Sequence, residues 1–169
     1  IITITGSNDG VSIELGSLNS GGGHHHVDES GLPNGSNPGT GSNASGQFEL
    51  SAQDGIAQLV IAGTSISGQA LANANSSNIS ITTDKGELVI NGYSIAADGT
   101  ITLSYDYRLT DDSDHSGAAV KDAISIEIID NDDDNASATL NIAISDDTPQ
   151  ARSDSNSIAE RENNIDGNV

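Results

Sequence analysis

The stretch TITLSYDYRLT, residues 100–110, is the part of the sequence that most strongly predicts a fold class. Large apolar side chains occupy every second position, and polar side chains fill the positions between them. Successive side chains of a β-strand point to opposite faces, so this alternation is typical of an antiparallel strand with one buried face. The side chains predicted to face inward are Ile101, Leu103, Tyr105, Tyr107 and Leu109.

Shorter segments with the same period of two lie on both sides of this strand. They are residues 1–5, 11–15, 47–52, 56–62, 79–82, 87–90, 124–128 and 138–144. Asp54-Gly55 and Asp84-Lys85-Gly86 predict hairpin turns, and the acidic turn 130–135 predicts a terminal hairpin. Asn91-Gly92 is predicted to end a strand, and residues 63–78 are small and polar. We therefore predict an all-β fold, an immunoglobulin-like Greek-key β-sandwich of about seven to nine strands.

The two ends of the sequence are predicted to belong to neighbouring units. Residues 1–10 are expected to close a preceding repeat, because a short alternating segment there ends in the turn Gly6-Ser7-Asn8-Asp9-Gly10. Residues 11–149 are expected to form the domain. After Pro149 the sequence becomes polar and charged, so residues 150–169 are expected to be a linker and the start of a following repeat.

The composition restricts the classes of partner. Twenty-five acidic residues against five basic ones give a formal charge of -20, which disfavours nucleic acid because phosphate binding needs Lys and Arg. No apolar stretch approaches the length needed for membrane insertion. With no cysteine in the chain, disulfides and thiolate metal sites are excluded. Hard cations bound by oxygen remain as the expected stabiliser, since they would also neutralise the self-repulsion of so many carboxylates.

Acidic residues cluster at the predicted strand ends, where loop carboxylates can supply the six to eight oxygens that Ca²⁺ prefers. The candidate calcium ligands are Asn8, Asp9, Asp28, Glu29, Asp111, Asp114, Asp130, Asp132, Asp134, Asp146 and Asp147. The alternative interpretation is that Asp occupies these turns only because it suits turns. The alternating Asp130, Asp132 and Asp134 predict an internal loop site, although they do not complete an EF-hand. Asn8, Asp9, Asp146 and Asp147 are assigned to the linkers.

Other chemistry has little support in the sequence. The run His24–His26 is read either as a transition-metal site or as an exposed edge segment, since successive strand residues face opposite ways. His115 lies near Asp112, Asp114 and Ser116, but neighbours in one polar loop do not form a positioned catalytic triad. Aromatic residues are only 2% of the chain, which weakens a sugar-binding site. We therefore expect that the protein is not an enzyme.

The sequence resembles the repeated domains of type I-secreted RTX adhesins and related biofilm proteins, with bacterial Ig-like or VCBS-like repeats. The matching stretches are residues 27–33 (VDESGLP), 46–48 (GQF) leading to Asp54-Gly55, 99–111, 130–134 and 138–149 (ATLNIAISDDTP). The sequence departs from the family pattern in the Gly21–His26 insert and at Asn135.

The resemblance implies a calcium-stabilised extender repeat on the bacterial cell surface. Such a repeat would be an extracellular monomer whose partners are calcium ions and the neighbouring repeats of the same chain. It would space an adhesive tip from the cell for attachment and biofilm formation, with calcium at or near the linkers making the array rigid. Two alternatives stay open: an adhesin module that binds a sugar or peptide, and an accessory domain of a cell-wall or polysaccharide hydrolase.

Overall fold

A computed structural model describes residues 10–19 and 21–148, and the alternating segments of this part of the chain form strands. The strands are β1 (Ser12–Glu14), β2 (His25–Asp28), β3 (Asn43–Ser51), β4 (Ile56–Ile61), β5 (Thr64–Ser67), β6 (Ile79–Thr82), β7 (Gly86–Ile95), β8 (Ile101–Leu109), β9 (Val120–Asp130) and β10 (Asn135–Ser145). The described helices are one 3-10 turn, Glu29–Gly31, and the short α1, Gly68–Ala72. No described helix has the length and apolar character needed to cross a membrane. The predicted strand 1–5 and the predicted linker 150–169 lie outside the described residues.

The strands form two five-stranded sheets. The first has the order β1-β3-β8-β7-β6 and the second the order β2-β10-β9-β4-β5. In immunoglobulin lettering these orders are A-B-E-D, with an added strand beside D, and A′-G-F-C-C′. Neighbouring strands are antiparallel except β2, which lies parallel to β10 at the edge of the second sheet. The predicted all-β sandwich is confirmed.

The core lies between the sheets and is built from the inward face of each strand. Every second residue of β8 is buried, as the alternation predicts, and β9 and β10 bring a second set of aliphatic side chains from the opposite sheet. The largest fully buried side chains include Phe48, Leu59, Ile61, Leu71, Leu88, Leu103, Tyr105, Tyr107 and Ile124. Burial of such apolar area is the main source of stability in a chain without disulfides.

Two of the predicted hairpins are confirmed, and one is wrong. The β6–β7 and β9–β10 pairs are antiparallel hairpins. Asp54-Gly55, however, joins β3 to β4, which belong to different sheets. The Asp-Gly pair does make a turn, with Gly55 at φ 83°. Turn chemistry sets the local backbone, but it does not decide whether the two flanking strands pair with each other.

Two boundaries also differ from the prediction. Asn91-Gly92 does not end a strand, because β7 continues to Ile95 through a bulge between Ile90 and Gly92. A side chain at Gly92 would come within 2.8 Å of the Ser104 side chain on β8, so glycine allows close approach of the two strands. The polar stretch 63–78 contains β5 and α1, the latter capped by the Ser67 hydroxyl, which accepts a hydrogen bond from the Ala70 amide.

The strand directions place the first and last described residues at opposite ends of the sandwich. Ser12 pairs with Ser51 and Ile56 with Asp130, so the β3–β4 and β9–β10 turns lie beside the start of β1. We call this end the N-terminal pole. Ser145 pairs with Asp28 at the other end, which also holds the 3-10 turn, the β8–β9 loop and residues 146–148. We call this end the C-terminal pole.

Candidate cation sites at the two poles

Three carboxylates meet at the N-terminal pole: Asp54, Asp130 and Asp132. One oxygen of each lies within 4.8 Å of the others. Asp130 is the last residue of β9 and occupies an inward position, which continues the buried series Ile124, Ile126 and Ile128. Asp54 lies in the turn before β4 and Asp132 in the turn after β9. Ile56 of β4 pairs with Asp130 of β9, so pairing of these two strands brings the three carboxylates together.

Asp130 is the buried member of this group, with only 1% of its surface exposed. Its Oδ1 accepts hydrogen bonds from the amides of Asp132 at 3.2 Å and Asp134 at 2.8 Å. Its Oδ2 is buried and has no hydrogen-bond partner. A buried carboxylate oxygen without a partner is costly, so each such atom needs a physical reason.

The charges of the N-terminal pole oppose one another. Desolvation raises the pKa of Asp132 above its ordinary value, and the negative charges of Asp130 and Asp54 raise it further. The Asn131 side chain ties the two turns together, because its amide donates a hydrogen bond of 2.6 Å to the carbonyl of Asp54. The turns therefore hold repelling carboxylates close to one another, an arrangement that a bound cation would relieve.

A second group lies at the C-terminal pole and combines Glu29, His115 and Asp146 within the same 4.8 Å limit. Glu29 begins the 3-10 turn after β2 and is 4% exposed. Its Oε1 accepts a hydrogen bond from the Ser113 amide at 2.8 Å and lies 3.1 Å from His115 Nε2. That pair is not aligned as a hydrogen bond, since His115 Nε2 is buried without a hydrogen-bond partner.

The C-terminal group borders an acidic cleft of about 370 Å³. The cleft is lined by Glu29, Leu32, Pro33, Asn34, Gly35, Thr110, Asp111, Asp112, Ser113, Asp146 and Asp147. Asp147 closes one side of the cleft, because its carboxylate accepts hydrogen bonds from the backbone amide of Ser36 at 2.8 Å and from the Ser36 hydroxyl. The segment that leaves β10 is thus attached to the loop before β3.

The remaining predicted ligands are not brought into either group. Asp28 caps the 3-10 turn and accepts from the Ser30 amide, and Asp111 accepts from the amide of Asp112. Asp114 is exposed, and hydrogen bonds from the side chain and backbone of Ser116 lower its pKa. Asp134 contributes its backbone amide to Asp130. Asn8 and Asp9 lie outside the described residues.

Sequence reasoning missed two of the six residues in these groups and one buried acid elsewhere. The sequence predicts Asp54 only as a turn residue, and it suggests for His115 only a catalytic role, which the local pattern disfavours. The third is Asp122, which is 1% exposed near the start of β9. A detectable signal existed for it: Asp122 and Asp130 lie at the two ends of the same alternating inward series, where a charged residue needs a partner.

Asp122 forms a polar bridge between the sheets rather than part of a pole group. Its Oδ2 accepts hydrogen bonds from the hydroxyls of Thr83 and Tyr107, the latter at 2.9 Å, and from the Lys85 amide at 3.3 Å. Burial raises the pKa of Tyr107, and the negative charge of Asp122 raises it further. The Tyr107 hydroxyl therefore stays protonated and acts as a donor across the interior.

The three consecutive histidines each meet a different neighbour. His24 accepts through Nδ1 from the Asn141 amide, and His26 Nε2 lies 2.6 Å from the Ser145 hydroxyl. His25 packs edge-on against Tyr105, and desolvation, followed by the nearby His24, lowers its pKa. His25 and His26 belong to the edge strand β2, and each of the three rings has its own separate partner.

Comparison of the chain with protein-family models, with curated proteins and with solved structures gave no match.

Proposed function

We propose that this chain is a calcium-stabilised extender repeat of a large bacterial surface adhesin, working outside the cell to space an adhesive tip from it. The observation that carries the proposal is the N-terminal pole, where the unpartnered, buried Oδ2 of Asp130 lies in a group with Asp54 and Asp132. The resemblance of residues 27–149 to repeats of RTX adhesins supports the same function.

The direction of the chain through the sandwich supports a repeat in a linear array. The described chain starts at one pole and leaves at the other, so units joined through residues 1–10 and 150–169 would follow one another end to end. Acidic groups occupy both poles, where such units would meet. A cation at the N-terminal pole would hold the β3–β4 and β9–β10 turns together, and with a ligand from the adjoining linker it would also limit bending between units.

Calcium is the cation that suits the N-terminal pole. The group offers only carboxylate oxygens, and Ca²⁺ completes its shell of six to eight oxygens with waters and carbonyls. At a cytosolic calcium concentration the carboxylates would repel and the fold would be loosened. Outside the cell, millimolar calcium would fill sites with dissociation constants of about 10⁻⁴ to 10⁻³ M, and binding would become folding free energy.

Thermal unfolding of the chain in EGTA and then in excess calcium tests the proposal, with sodium chloride added to match ionic strength. We expect calcium to raise the melting temperature and to reduce the hydrodynamic radius, because it neutralises carboxylates that repel only in the folded chain. Equal melting temperatures in EGTA and calcium would contradict the proposal and would assign the carboxylates to ordinary solvated turns.

A further inference from the structure

We propose that Glu29, His115 and Asp146 form a binding site for a divalent transition-metal ion such as Zn²⁺, distinct from the calcium-binding pole. The site stands on its own geometry and does not require the extender function. It would join three segments that are far apart in the sequence: the 3-10 turn after β2, the β8–β9 loop and the chain that leaves β10.

The distances fit two ligands of one small ion. Zn²⁺ lies about 2.0–2.1 Å from imidazole nitrogen and about 2.0–2.2 Å from carboxylate oxygen, so two tetrahedral ligands are roughly 3.3–3.5 Å apart. His115 Nε2 and Glu29 Oε1 are 3.1 Å apart, and the Asp146 carboxylate lies within 4.8 Å of both. A small movement of the exposed Asp146 side chain would make it the third protein ligand, and a water molecule would be the fourth ligand.

The hydrogen bonding also points to a ligand. His115 Nε2 is buried and unpartnered although a carboxylate oxygen is only 3.1 Å away, because the ring nitrogen is not aligned with that oxygen. Two ligands of one ion approach each other in this way, since each points its lone pair at the metal rather than at the other ligand. The hydroxyl oxygen of neighbouring Ser113 is buried and unpartnered as well.

The donor set selects the class of metal. Imidazole suits Zn²⁺, Ni²⁺ and Co²⁺, whereas Ca²⁺ prefers sites made only of oxygen. Glu29 is only 4% exposed, and a buried carboxylate needs a compensating positive charge. The chain has only five Lys and Arg, and the described ion pairs place none of them on Glu29. A bound cation would supply the missing charge.

The competing explanation is a simple ion pair between Glu29 and a protonated His115. A titration of the full chain with Zn²⁺ separates the two explanations, followed by calorimetry and, with Co²⁺ in place of Zn²⁺, by visible absorption. The protein is first stripped with chelator and then kept in excess calcium, so that sites made only of carboxylates are already filled. His115→Gln removes the ring nitrogen, and Asp146→Asn alters an exposed ligand with little risk to the fold.

His26→Gln is the matched control, because the run His24–His26 could bind Zn²⁺ by itself. We expect wild type and His26→Gln to bind one Zn²⁺ alike, and His115→Gln and Asp146→Asn to bind at least about tenfold more weakly, since even outer partners of a ligand change affinity that much. A tetrahedral Co²⁺ spectrum that His115→Gln abolishes would support the same conclusion.

Absence of Zn²⁺ binding by wild type would overturn the proposal, as would full binding by both His115→Gln and Asp146→Asn. Loss of binding in His26→Gln alone would move the metal to the histidine run and would also overturn it. Circular dichroism of each variant shows whether the fold is kept. None of these outcomes changes the calcium-dependent melting, so a failure here and a failure of the proposed function are distinguishable.

Discussion

Replacing Asp130 by Asn should affect the stability of the folded chain differently in EGTA and in calcium. The amide oxygen of Asn can still accept from the Asp132 and Asp134 amides, as Oδ1 of Asp130 does. The amide nitrogen would take the place of the unpartnered Oδ2 and would face the Asp54 and Asp132 carboxylates as a donor. Without calcium, the variant should therefore be as stable as wild type or more stable.

With calcium, the same substitution should remove most of the stabilisation. A site with a dissociation constant of about 10⁻⁴ to 10⁻³ M, at about 10 mM calcium, contributes roughly 1.4–2.7 kcal/mol to the free energy of unfolding. For a domain of this size that contribution corresponds to about 3–10 °C in melting temperature. Asp130→Asn should lose most of this shift, because it removes the buried ligand of the group.

The assay is thermal and urea unfolding of both proteins in EGTA and in calcium. Asp84→Asn is the charge-matched control, since Asp84 is an exposed residue of the β6–β7 turn outside both groups. This control should keep the full calcium shift. The reasoning is refuted if Asp130→Asn keeps the full shift too, or if it loses more than about 1 kcal/mol in EGTA, which would make Asp130 a purely structural acceptor.

Three further predictions concern the interior and the pH dependence. Tyr107→Phe removes one hydrogen-bond donor from buried Asp122. The free energy of unfolding, measured in urea, should fall by about 1.5–3 kcal/mol. A loss under about 0.5 kcal/mol would show that this hydrogen bond contributes little. Gly46→Ala should lower the free energy of unfolding by about 1–3 kcal/mol, because the added carbon would collide with the Tyr105 hydroxyl and with His25. Gly117→Ala is the control and should be neutral, since Gly117 faces open space. Equal melting temperatures of the two variants would contradict this prediction. In EGTA the folded chain binds a proton at Asp132 more tightly than the unfolded chain does, because the pKa of Asp132 is raised in the folded chain. This group should therefore add stability as the pH falls from that raised pKa towards the ordinary 3.8. Unfolding free energies of wild type and Asp132→Asn that stay parallel through this pH window would contradict the prediction.

The fold followed from the sequence wherever one strand carried its own pattern. The alternation of residues 100–110 predicted β8 and its buried face, and the same was true of β9 and β10. The pattern failed where a decision depended on contacts remote in sequence. Asp54-Gly55 makes a turn whether or not the flanking strands pair with each other. That β3 and β4 belong to different sheets depends on the packing of the whole sandwich.

The candidate sites were predictable only in part for the same reason. The sequence indicates Asp130, Asp132, Glu29 and Asp146 as candidate ligands because they lie in acidic turns. Their partners Asp54 and His115 come from other turns, and nothing local in the sequence states that those turns meet. Asp122 differs from these two residues, because the sequence does carry a signal for it. Extending the period of two along β9 places this acid at an inward position.

Diffraction from crystals grown in calcium would test the central claim most directly. We expect one calcium ion at the N-terminal pole, about 2.3–2.6 Å from Oδ2 of Asp130 and from carboxylate oxygens of Asp54 and Asp132. An Asp130 Oδ2 that is hydrogen-bonded to water or to a protein group, with no ion between the three carboxylates at saturating calcium, would contradict the claim.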